Sequence, residues 1–136
     1  MSGARVLVVD DESDARQVVG TMLRRSGADV VVAGSVDEAM RLFEKWRPNV
    51  LVADIGMPGA DGYALIRRVR ERPPESGGQI PAVALTAYVR TEDRIRALAS
   101  GYQMHLPKPV EPAALVSAVA RVAGRQLNSS PSEANS

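Results

Sequence analysis

Asn49-Val50-Leu51-Val52-Ala53-Asp54-Ile55-Gly56-Met57-Pro58 is an apolar run that ends in one carboxylate, with a Gly and a Pro close behind. Val50 to Ala53 read as a buried strand: short, β-branched and without polar alternation. A strand covered on both faces has no place for an acid within it. Asp54 is therefore expected where the strand leaves the core. In an open α/β sheet that is the carboxyl edge, where ligands bind. Taken alone, Asp54 could simply cap the loop that follows.

Outward from this strand the same unit recurs. Arg5-Val6-Leu7-Val8-Val9 is a second buried strand and also ends in acids, Asp10-Asp11-Glu12. Val18, Val19, Met22 and Leu23 follow as one helical face, and Gly27 supplies a left-handed stop. Asp29 to Ala33 is a short strand closed by Gly34. Ser35 and Glu38 form an S-x-x-E capping box for a helix whose face is Ala39, Leu42, Phe43 and Trp46. Pro48 keeps that helix out of the Asp54 strand. Beyond Pro58, Gly59 and Gly62 mark a turn. The next helix turns Tyr63, Ile66 and Val69 inward and Arg67, Arg68, Arg70 and Arg72 mostly outward, and Pro73-Pro74 ends it.

Ala82-Val83-Ala84-Leu85 is another apolar run, ending in Thr86. Thr91-Glu92-Asp93 opens a helix with acids where its dipole favours them. Ile95, Leu98 and Ala99 are expected to face inward there, until Gly101 closes the helix. Tyr102 to Leu106 is the expected last strand. Pro107-Lys108-Pro109 follows, and then a helix beginning near Pro112 with Leu115, Val116, Val119 and Val122 on its inner face.

Five strands thus alternate with five helices. Alternation of this kind predicts an α/β fold, a doubly wound parallel sheet with helices on both faces and right-handed crossovers. Periodicity leaves two strand orders open, the 3-2-1-4-5 type and 2-1-3-4-5. One domain is expected over residues 1–124. Residues 125–136 are mostly small and polar, with Pro131 among them, and read as a disordered tail or linker.

At 136 residues and 45% hydrophobic the chain suits one core. No stretch is apolar enough to span a bilayer, and Met1 to Arg5 show none of the regions of a signal peptide. There is no cysteine, which excludes a disulfide framework and a thiolate metal site. A cytoplasmic location is expected. A formal charge of +1 offers no bulk attraction to nucleic acid or to an anionic membrane. The arginines at 67, 68, 70, 72, 90, 94 and 96 sit mostly on two helices, with Glu92 and Asp93 among them. They read as solvated faces rather than a nucleic-acid surface.

Strand ends carry Asp10 and Asp11, Asp54, Thr86 and, just beyond the last, Lys108. In a parallel sheet these ends share one edge. Three carboxylates brought together repel, and a divalent cation resolves the repulsion. Mg²⁺ suits an all-oxygen site, whereas a single His and no Cys argue against zinc. Metal, lysine and hydroxyl around one carboxylate are the parts of a phosphoryl-transfer site. Asp54 would be the nucleophile, forming an aspartyl phosphate. Asp10 and Asp11 would hold the metal, while Thr86 and Lys108 would each meet a phosphoryl oxygen. Singly, each has a bland reading: helix N-terminus acids, a strand-end threonine, a solvated lysine.

Together these motifs resemble the receiver domain of two-component response regulators. The resemblance rests on Val8-Val9-Asp10-Asp11-Glu12, Asp54-Ile55-Gly56-Met57-Pro58 with Asp61-Gly62-Tyr63, Ala84-Leu85-Thr86-Ala87, and Lys108-Pro109, in that order between about Arg5 and Gly124. It implies the strand order 2-1-3-4-5 of the flavodoxin-like fold. It also implies transfer of a phosphoryl group to Asp54 from a histidine kinase or a histidine phosphotransfer protein. Mg²⁺ would be held directly by Asp11, Asp54 and the backbone carbonyl of Gly56, with Asp10 acting partly through water. Such a domain is a phospho-acceptor with only autocatalytic phosphorylation and dephosphorylation, not a turnover enzyme. It binds no membrane and no nucleic acid itself, and is a monomer or weak dimer. The Lys108–Pro109 bond would be cis.

One position departs from the pattern. The switch aromatic of the family stands three residues before the lysine, where this chain has His105, which is expected to move with Thr86. Gly101 to Pro109, with Leu85-Thr86-Ala87-Tyr88, is similar to receivers attached to hybrid sensor histidine kinases, so the chain could be a piece of one. Two further classes compete. A haloacid dehalogenase-like phosphatase uses a similar set, but has a second acid two residues after the nucleophile, where this chain has Gly56. A phosphorylation-independent interaction module would not need the five site residues, all of which are present.

Overall fold

Four of the five strands are short apolar runs whose β-branched side chains pack well on a pleated surface, while the fifth, Met104-His105-Leu106-Pro107, has none and lies at the sheet edge. The five are β1 (Arg5–Val9), β2 (Asp29–Ala33), β3 (Val50–Asp54), β4 (Ala82–Thr86) and β5 (Met104–Pro107). Between and after them lie α1 (Ser13–Arg25), α2 (Val36–Trp46), α3 (Gly62–Arg70), α4 (Thr91–Ser100) and α5 (Pro112–Leu127). The computed structural model describes residues 3–55, 62–87 and 91–127, apart from the side chains of Asp93 and residues 125–127. All strand pairs are parallel, and the order is 2-1-3-4-5. No helix among the described residues is long and apolar enough to cross a membrane.

The period of two along each strand builds two cores. Leu7, Val9, Leu51, Ala53, Ala82 and Ala84 face α2, α3 and α4, where Phe43, Leu65 and Ile66 fill the layer. Val6, Val8, Val50, Val52, Val83 and Leu85 face α1 and α5, against Leu23, Leu115 and Val119. β1, β3 and β4 are covered on both sides, which is why they read as unbroken apolar runs.

The Ser35–Glu38 pair caps α2 with a variation. Ser35 Oγ accepts the Glu38 amide at 3.1 Å, while Glu38 Oε1 reaches past Ser35 to the Gly34 amide at 2.7 Å. Ser35→Ala is expected to cost about 1 kcal/mol in urea unfolding.

Several expectations are corrected. Val18 is 53% exposed, because α1 packs through Val19, Gly20 and Leu23 and leaves Val18 beside Pro112. Ile95 and Leu98 of α4 are 60% and 46% exposed, and Ala99 is exposed too. The helix meets the core through fully buried Ala97, which belongs to the same cluster as Tyr63 and Tyr102. β5 begins at Met104 rather than Tyr102, because the Tyr102 amide closes α4 on the Ala97 carbonyl and its ring enters the core. Arg70 is not outward: its guanidinium donates to the carbonyls of Gly101 and Gly78. Arg72 folds over the Phe43 ring. α5 continues to Leu127, past the composition change at Gly124, and residues 128–136 lie outside the described residues.

Candidate functional site

Parallel register brings four strand ends to one edge. Val9 is level with Ala53, Asp54 with Leu85, and Thr86 with Pro107, so Asp10, Asp54, Thr86 and Lys108 come together there. Among the described residues the buried polar side chains are Asp10, Asp54 and Thr86, exposed by 1%, 7% and 0%. All three belong to this edge. Buried acids persist only where something pairs with them.

Lys108 is that partner. Its amide donates to the Thr86 carbonyl at 2.8 Å, and the Lys108–Pro109 bond is cis. Its Nζ lies 3.2 Å from Asp54 Oδ2 and 3.3 Å from Asp10 Oδ2. The other oxygen of Asp10, Oδ1, accepts the Glu12 amide at 2.9 Å. Burial pushes the Asp10 carboxyl above its ordinary range and the charge of Asp54 adds to this. The Glu12 N–H and the Lys108 ammonium oppose the rise without cancelling it. For Lys108 burial works downward, but Asp10 and Asp54 outweigh it and its pKa is raised.

Asp11 is exposed on the loop after β1, yet carboxylate oxygens of Asp10, Asp11 and Asp54 lie within 4.8 Å of one another. Lys108 pairs with two of these three acids. The donor set is oxygen only, and its surplus negative charge suits a hard divalent cation of the Mg²⁺ kind. Gly56, the expected carbonyl ligand, and residues 57–61 lie outside the described residues. His105 stands on β5 level with Ala84, on the same sheet face as Thr86 and toward α4. Its Nε2 is buried without a hydrogen-bond partner, and the ring lines a groove with Arg94, Leu98 and Gln103.

Two further residues shape this edge, one of them, Arg16, without any mark in the sequence. A Cβ on Gly62 would stand 2.7 Å from Ile55 Cα and 2.8 Å from the Asp54 carbonyl, so α3 starts directly against the end of β3. Arg16 donates from α1 to the carbonyls of Asp10 and Asp11. An isolated arginine on a helix has no pattern that would single it out, whereas Gly62 was marked as a turn glycine and only the packing shows how closely it meets β3.

A family model described as the response regulator receiver domain matches residues 6–120. TrcR, a transcriptional regulatory protein of Mycobacterium tuberculosis, is 40% identical over 95% of this chain, which spans only 48% of that protein. An uncharacterised 14.6 kDa protein of Leptolyngbya boryana is 50% identical over 82% of this chain and 83% of its own length. Among solved structures, the Francisella response regulator 1452 receiver domain superposes with a TM-score of 0.81 at 31% identity, covering 90% of this chain and 98% of that one. These matches do not favour the hybrid-kinase subfamily over other receivers.

Proposed function

The chain belongs to the response regulator receiver family, and from that premise we propose that Asp54 takes a phosphoryl group from a phosphohistidine of a kinase or phosphotransfer partner. The observation that carries the assignment is the shared clasp of Lys108 Nζ on Asp10 and Asp54, with Asp11 beside them. Asp54 is the acid of this set on the central strand, where a donor approaching the open edge would meet it. Its carboxylate oxygen forms the new P–O bond as the P–N bond to the donor imidazole breaks. The imidazole leaves with the electron pair and is protonated.

In this reading Asp11, Asp54 and the Gly56 carbonyl would hold Mg²⁺, with Asp10 acting partly through water, and the ion would supply positive charge against the transferring group. The chain's own residues do the rest. Lys108 releases part of its hold on Asp54 and pairs with a phosphoryl oxygen. Thr86, one strand over, donates its hydroxyl to another. His105 shares the Thr86 face, and its unpartnered Nε2 lies beside α4, which suits a side chain that shifts when Thr86 moves. The chain is then a phospho-acceptor whose turnover is its own dephosphorylation. A cysteine-free chain phosphorylated by a kinase partner fits the cytoplasm.

The test is incubation with acetyl phosphate and MgCl₂, followed by peptide mass spectrometry under mild conditions. Label is expected on Asp54, and an excess of chelator is expected to prevent it. Label of equal extent without metal, or on another residue, defeats the assignment.

A further inference from the structure

We propose that Arg16 is a positioning residue that presets the loop after β1 for cation binding. The proposal rests on the reading of Asp10, Asp11 and Asp54 as the Mg²⁺ site. Arg16 lies in the first turns of α1, and its own amide is anchored to the Glu12 carbonyl at 3.1 Å. From there Nη1 donates back to the Asp10 carbonyl at 3.0 Å and reaches the Asp11 carbonyl at 3.4 Å. The Asp10 amide is held from the other side by the Ala33 carbonyl at 3.1 Å. The backbone that carries two of the three acids is therefore tied at successive groups, and its direction decides where the carboxylates point. A guanidinium suits this task, since its fixed fork loses little freedom for each hydrogen bond.

Gly34 supplies a second, independent observation. It is not among the glycines at positive φ, so backbone strain does not account for it. A Cβ there would stand 3.0 Å from Arg16 Nη1 and 3.3 Å from its Cζ. The end of β2 thus leaves open the space across which the guanidinium lies.

The sign of the effect separates positioning from charge. Arg16 is a cation near a cation site, so by Coulomb's law alone its removal would tighten Mg²⁺ binding. Loss of a residue that orients metal ligands weakens binding, commonly by 10- to 100-fold. Calorimetric titration of the metal-free full chain with MgCl₂ alone is the measurement, with urea unfolding in chelator to confirm that each variant folds. Arg16→Met is expected to bind Mg²⁺ about tenfold more weakly than the unaltered chain. Arg16→Lys, which keeps the charge and one reach, is expected to fall between them. Gly34→Ala keeps Arg16 but crowds its guanidinium, which must give by a few tenths of an ångström, and is expected to weaken binding in the same direction by less than Arg16→Met does. If Arg16→Met does not fold, Arg16→Gln, equally neutral and too short to reach both carbonyls, decides in its place. Unchanged or tighter Mg²⁺ binding in the folded variants overturns the proposal. Failure of the unaltered chain to bind Mg²⁺ at all overturns the metal-site reading instead.

Discussion

Asp54→Asn is expected to end phosphoryl uptake while leaving the chain folded. The amide has almost the shape of the carboxylate but neither its charge nor a nucleophilic oxygen. Lys108 keeps Asp10 at 3.3 Å, so its ammonium is not left stranded in a partly buried place. Asp10 and Asp11 remain close by, but neither lies at the end of the central strand. Affinity for Mg²⁺ is expected to fall as well, since one of three carboxylates is gone. Intact-mass measurement after exposure to acetyl phosphate should show labelling reduced to background. Persistent stoichiometric labelling of Asp54→Asn would place the acceptor elsewhere.

Lys108→Met has the second large effect, and it is on stability. The variant leaves Asp10 and Asp54 facing each other with no ammonium between them. Removing one partner of a buried pair costs ~3–5 kcal/mol; with the Lys108 side chain about a quarter exposed, ~2–3 kcal/mol is expected at pH 7 without metal. The sign of the pH dependence follows from Asp10. Its folded pKa already lies above the ordinary 3.8, chiefly through burial, and loss of Lys108 removes one of the influences holding it down. Stability tied to a raised carboxyl pKa is fully present below the unfolded value and is lost as pH rises through the folded one. The deficit of Lys108→Met should therefore be greatest near neutrality and shrink as pH falls toward about 4. Saturating Mg²⁺ should also shrink it, because a ligand that binds the folded state stabilises that state. Urea unfolding of both proteins at pH 7 and pH 5, with chelator and with MgCl₂, measures all of this. A deficit that grows on acidification would contradict the account.

The candidate site was legible in the sequence because three of its residues end apolar runs and Asp11 and Lys108 stand just beyond strand ends. Asp10, Asp54 and Thr86 interrupt hydrophobic strands, and a polar residue at such a point announces an edge. The register that makes Asp10 and Asp54 neighbours could not be read the same way. It depends on β1 lying between β2 and β3, a pairing across long stretches of chain.

Helix faces divide along the same line. On α2 and α5 the apolar stripe is wide and one-sided, so Ala39, Phe43, Leu115 and Val119 are buried as their spacing requires. On α4 apolar residues occur around the helix. Ile95 and Leu98 are exposed, and the small Ala97 is the residue of α4 that joins the core cluster of Tyr63 and Tyr102. Arg70 shows the converse: a charged side chain is drawn inward because the Gly101 and Gly78 carbonyls offer acceptors that no local pattern reveals.

What the amino-acid order determined by itself was the alternation of strand and helix, the two-faced burial of the central strands, and the residues stationed at their ends. These follow from local periodicity and from the cost of placing a charge inside an apolar run. Local pattern left two strand orders open and the family resemblance implied the observed 2-1-3-4-5, whereas tertiary structure alone decided which side of α4 is covered, and that Lys108 clasps two acids at once while Arg16 bonds the loop that carries them. Those outcomes depend on volumes and hydrogen-bond acceptors brought together from distant parts of the chain.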